Sequence, residues 1–338
     1  MTQKQRIDAF VALGEFLNTN PERIHPVLQR ASIKNPWYTV ANSVKQLEAI
    51  ASNLTYEKLQ HWLAPFPGIE SDKTVGLILA GNIPLVGFQD ILSVLIAGFR
   101  AQIKVSSDDA GLTGFILSEL INLEPAFKEK IQIVERLERY DLIIATGSNN
   151  SSRYFDYYFG KKPHIIRKNR NSIAILHGNE SPEELHALGF DIFDYFGLGC
   201  RSVSKIFVPK GYDFRIFFEA IENFSSIKEH YKYANNYDYN KSIYLINGDQ
   251  HLDNGFLLLK QDQGLASPLA TVFYEEYENL QNLQVELTNQ VDHIQCIVSS
   301  STIEIAIPTF PLGMSQQPAL TDYADGVDVL DFLFRYRD

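Results

Sequence analysis

Apolar and polar positions follow two successive rhythms along the chain. Over residues 1–65 the apolar positions recur at helical spacing, with Ile7, Phe10, Val11 and Leu17 on one face. Asn35-Pro36 and Pro65-Phe66-Pro67-Gly68 interrupt this pattern. The period then changes. Residues 75–80 form a continuous apolar run, as expected of a strand buried on both faces. The run stops at Gly81-Asn82-Ile83-Pro84, and a helical stretch follows to about Gly98. Residues 101–105 predict a second strand and 111–123 a second helix. Two short strands follow at 131–134 and 141–146, the latter ending at Gly147-Ser148-Asn149-Asn150. Strand, tight turn and helix in alternation predict an α/β fold whose parallel sheet carries helices on both faces. Ligands of such sheets bind at the carboxyl ends of the strands, where both polar turns fall.

Residues 173–176 read as the last strand of this half. Ser181-Pro182-Glu183-Glu184 is a helix start, with Ser as N-cap, Pro at the first helical position and Glu at the third. That helix should reach about Tyr195. A tight loop over 196–202 and a strand over 203–208 come next, then short strands at 270–273, 294–298 and 303–307 mixed with helices. The pattern places a domain boundary at 176–180, dividing residues 1–176 from 177–338.

Composition narrows the function classes. A chain of 338 residues fits two domains or one large α/β unit, and 45% hydrophobic with 21% charged residues excludes disorder. The 30 Lys and Arg against 41 Asp and Glu leave a net charge of −11 with no basic block, which argues against a nucleic-acid partner. Two cysteines exclude a disulfide framework and a cysteine-rich zinc site, and the eight His are scattered. The most apolar window, 75–105, is interrupted by Asn82, Pro84, Gln89, Asp90 and Arg100, so no transmembrane span is expected. The polar start of the chain is no targeting segment, and a cytoplasmic setting is expected. The 17 Tyr, 22 Phe and 2 Trp imply a large core, an apolar ligand surface, or both.

The motifs G-x-x-x-x-G-K-[ST], strand-borne G-x-G-x-x-G, G-x-S-x-G and H-E-x-x-H are absent. Cys200 stands out among the single residues. Gly197 and Gly199 allow a turn that carries backbone close to a substrate, and Arg201 is placed to lower the thiol pKa from its reference of about 8.5. The other reading of Cys200 is a small buried hydrophobe, the role assigned to Cys296 in its alternating run. Asn82 either presents its amide to a developing oxyanion or caps a helix. Lys104, beside Ser106, Ser107 and Asp108, is a ligand cation or a solvated lysine. Gly147-Ser148 holds a phosphate on helix amides or is an ordinary cap. The patch Arg167-Lys168-Asn169-Arg170 reads as a solvated turn, and the aromatic run over 154–159 as packing.

Each of these signals is open singly, but their order along the chain is specific. Asn82 in a Gly-Asn-x-Pro turn, Lys104 closing the next strand, the Gly147-Ser148 turn and Cys200 ahead of a strand resemble the aldehyde dehydrogenase superfamily. The finer resemblance is to its acyl-CoA reductase branch, the LuxC-like family of luminescence fatty-acid reductases. AGNIPLVGFQDILSVLIAGFRAQIKVSSDD, ATGSNNSSRYFDYYFGKKPHIIRKNRNSIAIL and FGLGCRSVSKIFVP carry it, and SQQPALTDYADGVDVLDFL is typical of the branch. These segments extend across most of residues 70–338, while the N-terminus matches less well.

The resemblance implies an aldehyde dehydrogenase-like fold: a parallel-sheet dinucleotide-binding domain with the helical N-terminus in 1–176, a thiol-bearing α/β domain with a C-terminal closing segment in 177–338, and the active-site cleft between them. It implies that Cys200 forms an acyl-enzyme from an acyl-CoA or other acyl thioester. Asn82 and the Cys200 backbone N–H would hold the oxyanion. Lys104, Ser106 and Ser107 would bind the adenosine ribose region of the cofactor, and Gly147 and Ser148 its pyrophosphate. By position, Arg167 stands where hydrolytic members carry a glutamate base, which favours thioester reduction over acid formation. Ser107 stands where NAD-preferring relatives carry an acidic residue, which points to NADPH, with NADH the alternative given Asp108 next door. The product would be an aldehyde, most naturally a fatty one. Two rival readings keep the same fold: an aldehyde dehydrogenase making acids or acyl-CoA, and a non-catalytic acyl or nucleotide binder. The superfamily's habit implies a homo-oligomer, and a partner enzyme supplying the acyl group is compatible with the branch.

Overall fold

The computed structural model describes residues 1–147, 154, 155 and 157–338. Its helical N-terminus comprises α1 (Gln3–Thr19), α2 (Pro21–Lys34), α3 (Val40–Asn53) and α4 (Tyr56–Leu63). Thr2 starts α1 with a capping box: its hydroxyl accepts from the Gln5 N–H, and the Gln5 side chain accepts from the Thr2 N–H. Phe10, Leu13 and Leu17 then bury one face of α1 in a core shared with the following sheet.

That sheet is built from β1 (Thr74–Ile78), β2 (Arg100–Lys104), β3 (Ile131–Ile133), β4 (Leu142–Thr146) and β5 (His164–Arg167). All its pairs are parallel, in the order β3-β2-β1-β4-β5. The connections are α5 (Phe88–Ile96) between β1 and β2, and α6 (Leu112–Leu123) flanked by two short 3₁₀ turns between β2 and β3. Val75 and Leu77 of β1 are fully buried, as the uninterrupted apolar run predicts. The chain proceeds from β1 outward to β2 and β3, then returns to β4 on the other side. The carboxyl end of β1 is therefore the topological switch point.

The second sheet contains β6 (Asn171–Ile175), β7 (Val203–Pro209), β8 (His251–Asp253), β9 (Leu258–Gln261), β10 (Thr271–Tyr277), β11 (Ile294–Ser299) and β12 (Thr309–Phe310). Its order is β12-β11-β6-β7-β10-β9-β8, parallel except for the β8–β9 pair. The helices of this part are α7 (Pro182–Phe193), α8 (Phe214–Ala220), α9 (Tyr231–Asn247) and α10 (Leu280–Thr288). One core of the sheet contains Leu185, Leu188 and Phe217, and a second contains Leu283, Leu287, Ile303 and Ile307.

The chain divides into two compact units, Met1–Asn169 with Ala319–Asp338, and Arg170–Pro318. The pattern-based boundary at 176–180 lies a few residues later, because β6 pairs with β7 and β11 rather than with the first sheet. An apolar run shows that a strand is buried but not which sheet takes it. The C-terminal segment likewise rejoins the first unit, where the indole of Trp62 donates to the Tyr323 hydroxyl at 2.6 Å and the Gln89 amide to the Leu320 carbonyl at 3.1 Å. Residues 303–307 are not the expected strand. Ile303 and Ile307 are buried from an irregular turn in which the Ile305 N–H donates to the Ile303 carbonyl, and the strand is Thr309–Phe310 instead. Among the described residues, no helix is long and apolar enough to cross a membrane.

Arg167 also differs from the solvated turn expected of its basic patch. It is buried at the end of β5, with Nη1 2.5 Å from Oδ2 of Asp90 on α5, itself buried. Removing one member of a buried pair costs more than the pair is worth, because the other charge stays in a low-dielectric setting. Asp90→Ala should therefore lower stability by about 3–5 kcal/mol in denaturant unfolding, and joint replacement of Asp90 by Leu and Arg167 by Met should recover most of it.

Candidate functional site

The register of the first sheet collects the candidate residues of the first unit. Ile78 of β1 lies opposite Lys104 on β2 and Ala145 on β4, so the three strands end together. Just past β1, the Leu79 N–H donates to the Lys104 carbonyl at 3.1 Å, and the chain enters the Gly81–Asn82 turn. Gly81 has no room for a side chain: a Cβ there would lie 2.6 Å from Cβ and Oγ of Ser106. The turn thus rests on the loop that follows β2. Asn82, Lys104 and Ser107 expose their side chains at this edge, and Ser106 turns its hydroxyl to the Asp108 N–H at 3.2 Å. Gly147 follows β4, its N–H donating to the Arg167 carbonyl at 3.4 Å. Ser148 lies outside the described residues.

Cys200 belongs to the second unit, on the loop between α7 and β7, and is exposed. Exposure removes the small-buried-hydrophobe reading. Its approach is strained: Tyr195, Phe196 and Gly197 take φ of 53°, 60° and 77° in succession. Two non-glycine residues in the left-handed region cost on the order of 1–3 kcal/mol each, so their surroundings must hold them there. Both rings are buried, and Phe196 packs 4.2 Å from the His230 ring between centroids. The loop itself is held by hydroxyls. Ser202 Oγ accepts from the Gly199 N–H at 3.2 Å and from Gln316 Nε2 at 3.1 Å, while the Ser202 N–H donates to the Gly199 carbonyl. From beneath, Ser172 Oγ–H donates to the Cys200 carbonyl at 2.9 Å. Cys296 Sγ lies 3.0 Å from that same Ser172 oxygen. Since the Ser172 proton is committed to Cys200, the Cys296 S–H must be the donor in this contact. Burial pushes the Cys296 thiol up to about 11, against the opposing pull of Arg201, and so keeps that proton in place. Arg201 sets its guanidinium over the Phe310 ring at 5.4 Å.

Asp191 on α7 ties the loop's support together. Fully buried, it accepts from the Gly313 N–H at 2.5 Å, the Ser315 N–H at 2.9 Å and the Ser315 hydroxyl at 2.7 Å, which fixes the segment carrying Gln316. Sequence reasoning missed Ser172, Asp191, Ser202 and Gln316, because their contacts join residues distant in sequence. The segments that carry the resemblance contain Ser172, Ser202, Ser315 and Gln316 but give none of them a role. A small cavity of about 50 Å³ lies beside Phe196 and Gly197, lined by Ile192, Tyr233, Leu257 and Val272 together with Ser204 and Ser267. Among the described residues, no group of three or more His, Cys, Asp or Glu is placed to hold a metal ion.

Solved structures with this architecture define the class. Aldehyde dehydrogenase 21 from Physcomitrella patens is similar over 100% of this chain and 85% of its own, with a TM-score of 0.71 and 12% identity. An oxidoreductase from Marinobacter aquaeolei reaches 0.69 at 12% identity, over 94% of this chain and 79% of its own. An NAD-dependent aldehyde dehydrogenase from Sinorhizobium meliloti also reaches 0.69 at 12% identity, over 90% and 71%. The fold is that of the aldehyde dehydrogenases, as the resemblance in sequence implied. Residues 55–223 match the family described as acyl-CoA reductase (LuxC), and the chain belongs to it. It is accordingly an oxidoreductase of the aldehyde dehydrogenase and LuxC type. No curated protein matches it in sequence.

The buried Asp191 makes a pH-dependent contribution to stability. Burial outweighs its three donors and raises its carboxyl from 3.8 to about 6. The folded chain therefore holds the proton more tightly than the unfolded one. The resulting stabilisation, about 3 kcal/mol, is present below pH 3.8 and lost as pH rises through about 6. Melting curves between pH 3.5 and 7 should show this loss, and in Asp191→Asn it should be absent.

Proposed function

We propose that the protein is an acyl-thioester reductase that converts an acyl-CoA to an aldehyde. The exposed Cys200, on a strained loop fixed by buried hydroxyls within the family-matched residues, is the observation that carries this reading. In this reading the Cys200 thiolate attacks the acyl carbon, and the C–S bond to CoA breaks with CoA leaving as a thiolate. The Asn82 amide is assigned as a donor to the oxyanion formed in that step. Arg167 has its guanidinium bound to Asp90 and cannot serve as a base for water, which favours an acyl-enzyme that persists until it is reduced.

The edge of the first sheet suits a dinucleotide by the chemistry of its donors. Exposed Lys104 and Ser107 offer an ammonium and a hydroxyl to ribose or phosphate oxygens, and they stand at the switch point of the sheet. When bound, a reduced nicotinamide supplies a hydride to the acyl carbon. Cys200 is then expelled as thiolate when the aldehyde leaves. Ser107 carries no charge to repel a 2′-phosphate, so NADPH is the assigned cofactor. The Sinorhizobium meliloti neighbour is NAD-dependent by name, which makes NADH the alternative.

Incubation with an acyl-CoA and no cofactor should add one acyl group to the intact mass, and Cys200→Ala should acquire none. An adduct that survives in Cys200→Ala overturns the nucleophile assignment. Steady conversion of aldehyde to acid without CoA would favour the dehydrogenase reading instead. Ser107→Glu should raise the KM for NADPH at least about tenfold relative to NADH, since a carboxylate there repels the 2′-phosphate. An unchanged ratio excludes Ser107 from cofactor selection.

A further inference from the structure

We propose that Tyr38 is a positioning residue for Asn82: its hydroxyl pins the two carbonyls that flank Asn82 and so fixes the direction of the Asn82 amide. This inference rests on the assignment of Asn82 as oxyanion donor.

Tyr38 comes from the turn between α2 and α3 and is 1% exposed. Its hydroxyl lies 2.8 Å from the Gly81 carbonyl oxygen and 3.1 Å from that of Ile83. A phenol has one proton to donate, so the two carbonyls share it in a three-centre bond. Those carbonyls belong to the residues immediately before and after Asn82. Gly81 is meanwhile seated against Ser106 with no space for a Cβ. The backbone around Asn82 is therefore held from two sides while its side chain stays exposed. That combination suits a group that must keep one direction toward a ligand.

The same turn is tied to the neighbouring loop as well. The Tyr38 N–H donates to the Asn35 carbonyl at 2.8 Å, and the Asn35 side-chain amide donates to the Asp108 carbonyl at 3.0 Å. Burial, with Asp108 and Asp109 nearby, holds the phenol pKa well above its ordinary value, so the hydroxyl keeps its proton at any working pH. Phenylalanine would satisfy the packing of this position. The oxygen adds its bonds to the Asn82 turn. Tyr38 lies outside the family-matched residues 55–223, so the N-terminal helices supply a part of the site that the family match does not cover.

The test is a double-mutant cycle on single-turnover acylation by acyl-CoA. Asn82→Ala should slow acylation by about 10²–10³-fold. Tyr38→Phe should slow it by about tenfold with the KM for acyl-CoA unchanged, and should add nothing in the Asn82→Ala background, because it acts only through Asn82. Equal losses in both backgrounds, or no loss in the parent, overturn the role of Tyr38. Full activity in Asn82→Ala overturns the oxyanion assignment itself, whatever Tyr38→Phe does. Hydrogen exchange gives a second reading independent of activity. Exchange that accelerates over residues 81–84 alone in Tyr38→Phe supports the proposal, whereas uniform acceleration marks a merely structural residue and overturns it.

Discussion

The parallel register of β1 against β2 and β4 is the constraint on which the first unit's chemistry depends. Ile78 faces Lys104 on one side and Ala145 on the other, so three turns leave the sheet at one level. A slip of one residue would move a turn by roughly 3.3 Å and exchange the faces of every side chain on the strand. Helices cover this sheet, and β1 is apolar on both sides, so either exchange would disturb a packed layer. Burial of Val75 and Leu77 thus sets the place of Asn82 and Lys104 as surely as any polar contact does.

The thiol loop is held by a different means. Cys200 itself lies on no strand. Its loop is kept in an unfavourable backbone conformation by buried groups, with aromatic packing around Tyr195 and Phe196 and hydroxyls under the carbonyl and amides. The strain lies in the residues leading to the exposed thiol, and the compensation lies in β6, β11 and the segment after Gly313. A conformation that needs several distant segments to sustain it resists relaxation, as a preorganised nucleophile requires.

Much of this was legible in the sequence, and the limits are physical. Continuous apolar runs located β1, β2 and β4, and Ser181 with Glu184 marked the start of α7, because these signals are local. The positions of Asn82, Lys104, Gly147 and Cys200 at turns were legible for the same reason. The sheet that receives β6 was not, since buried strands look alike in a one-dimensional pattern. Ile303 and Ile307 mimicked a strand because alternate burial is also achieved by an irregular turn. Arg167 was read as solvated because its partner Asp90 lies on another element, and the long-range hydroxyl contacts that hold the site pair residues from 28 to 124 positions apart.

The two ends of the chain, both outside the family match, are bound into the first unit by similar long-range contacts. Buried Arg6 of α1 donates from Nε to the Ile96 carbonyl at the end of α5 at 2.7 Å, and from Nη2 to the Ile69 carbonyl at 2.7 Å. Gly98 then turns with φ of 84° directly against that guanidinium, where a Cβ would meet Nη1 at 2.9 Å. The C-terminal helix Val329–Arg335 packs on α5 as well, and Tyr323 reaches Trp62 of α4. α5 is thus held at its carboxyl end by the N-terminal helix and along its length by the chain's last turns. Its first turn carries Asp90, the partner of Arg167. Changes at either end of the chain therefore act on the sheet through α5, which makes these helices part of the scaffold of the candidate site and not an appendage to it.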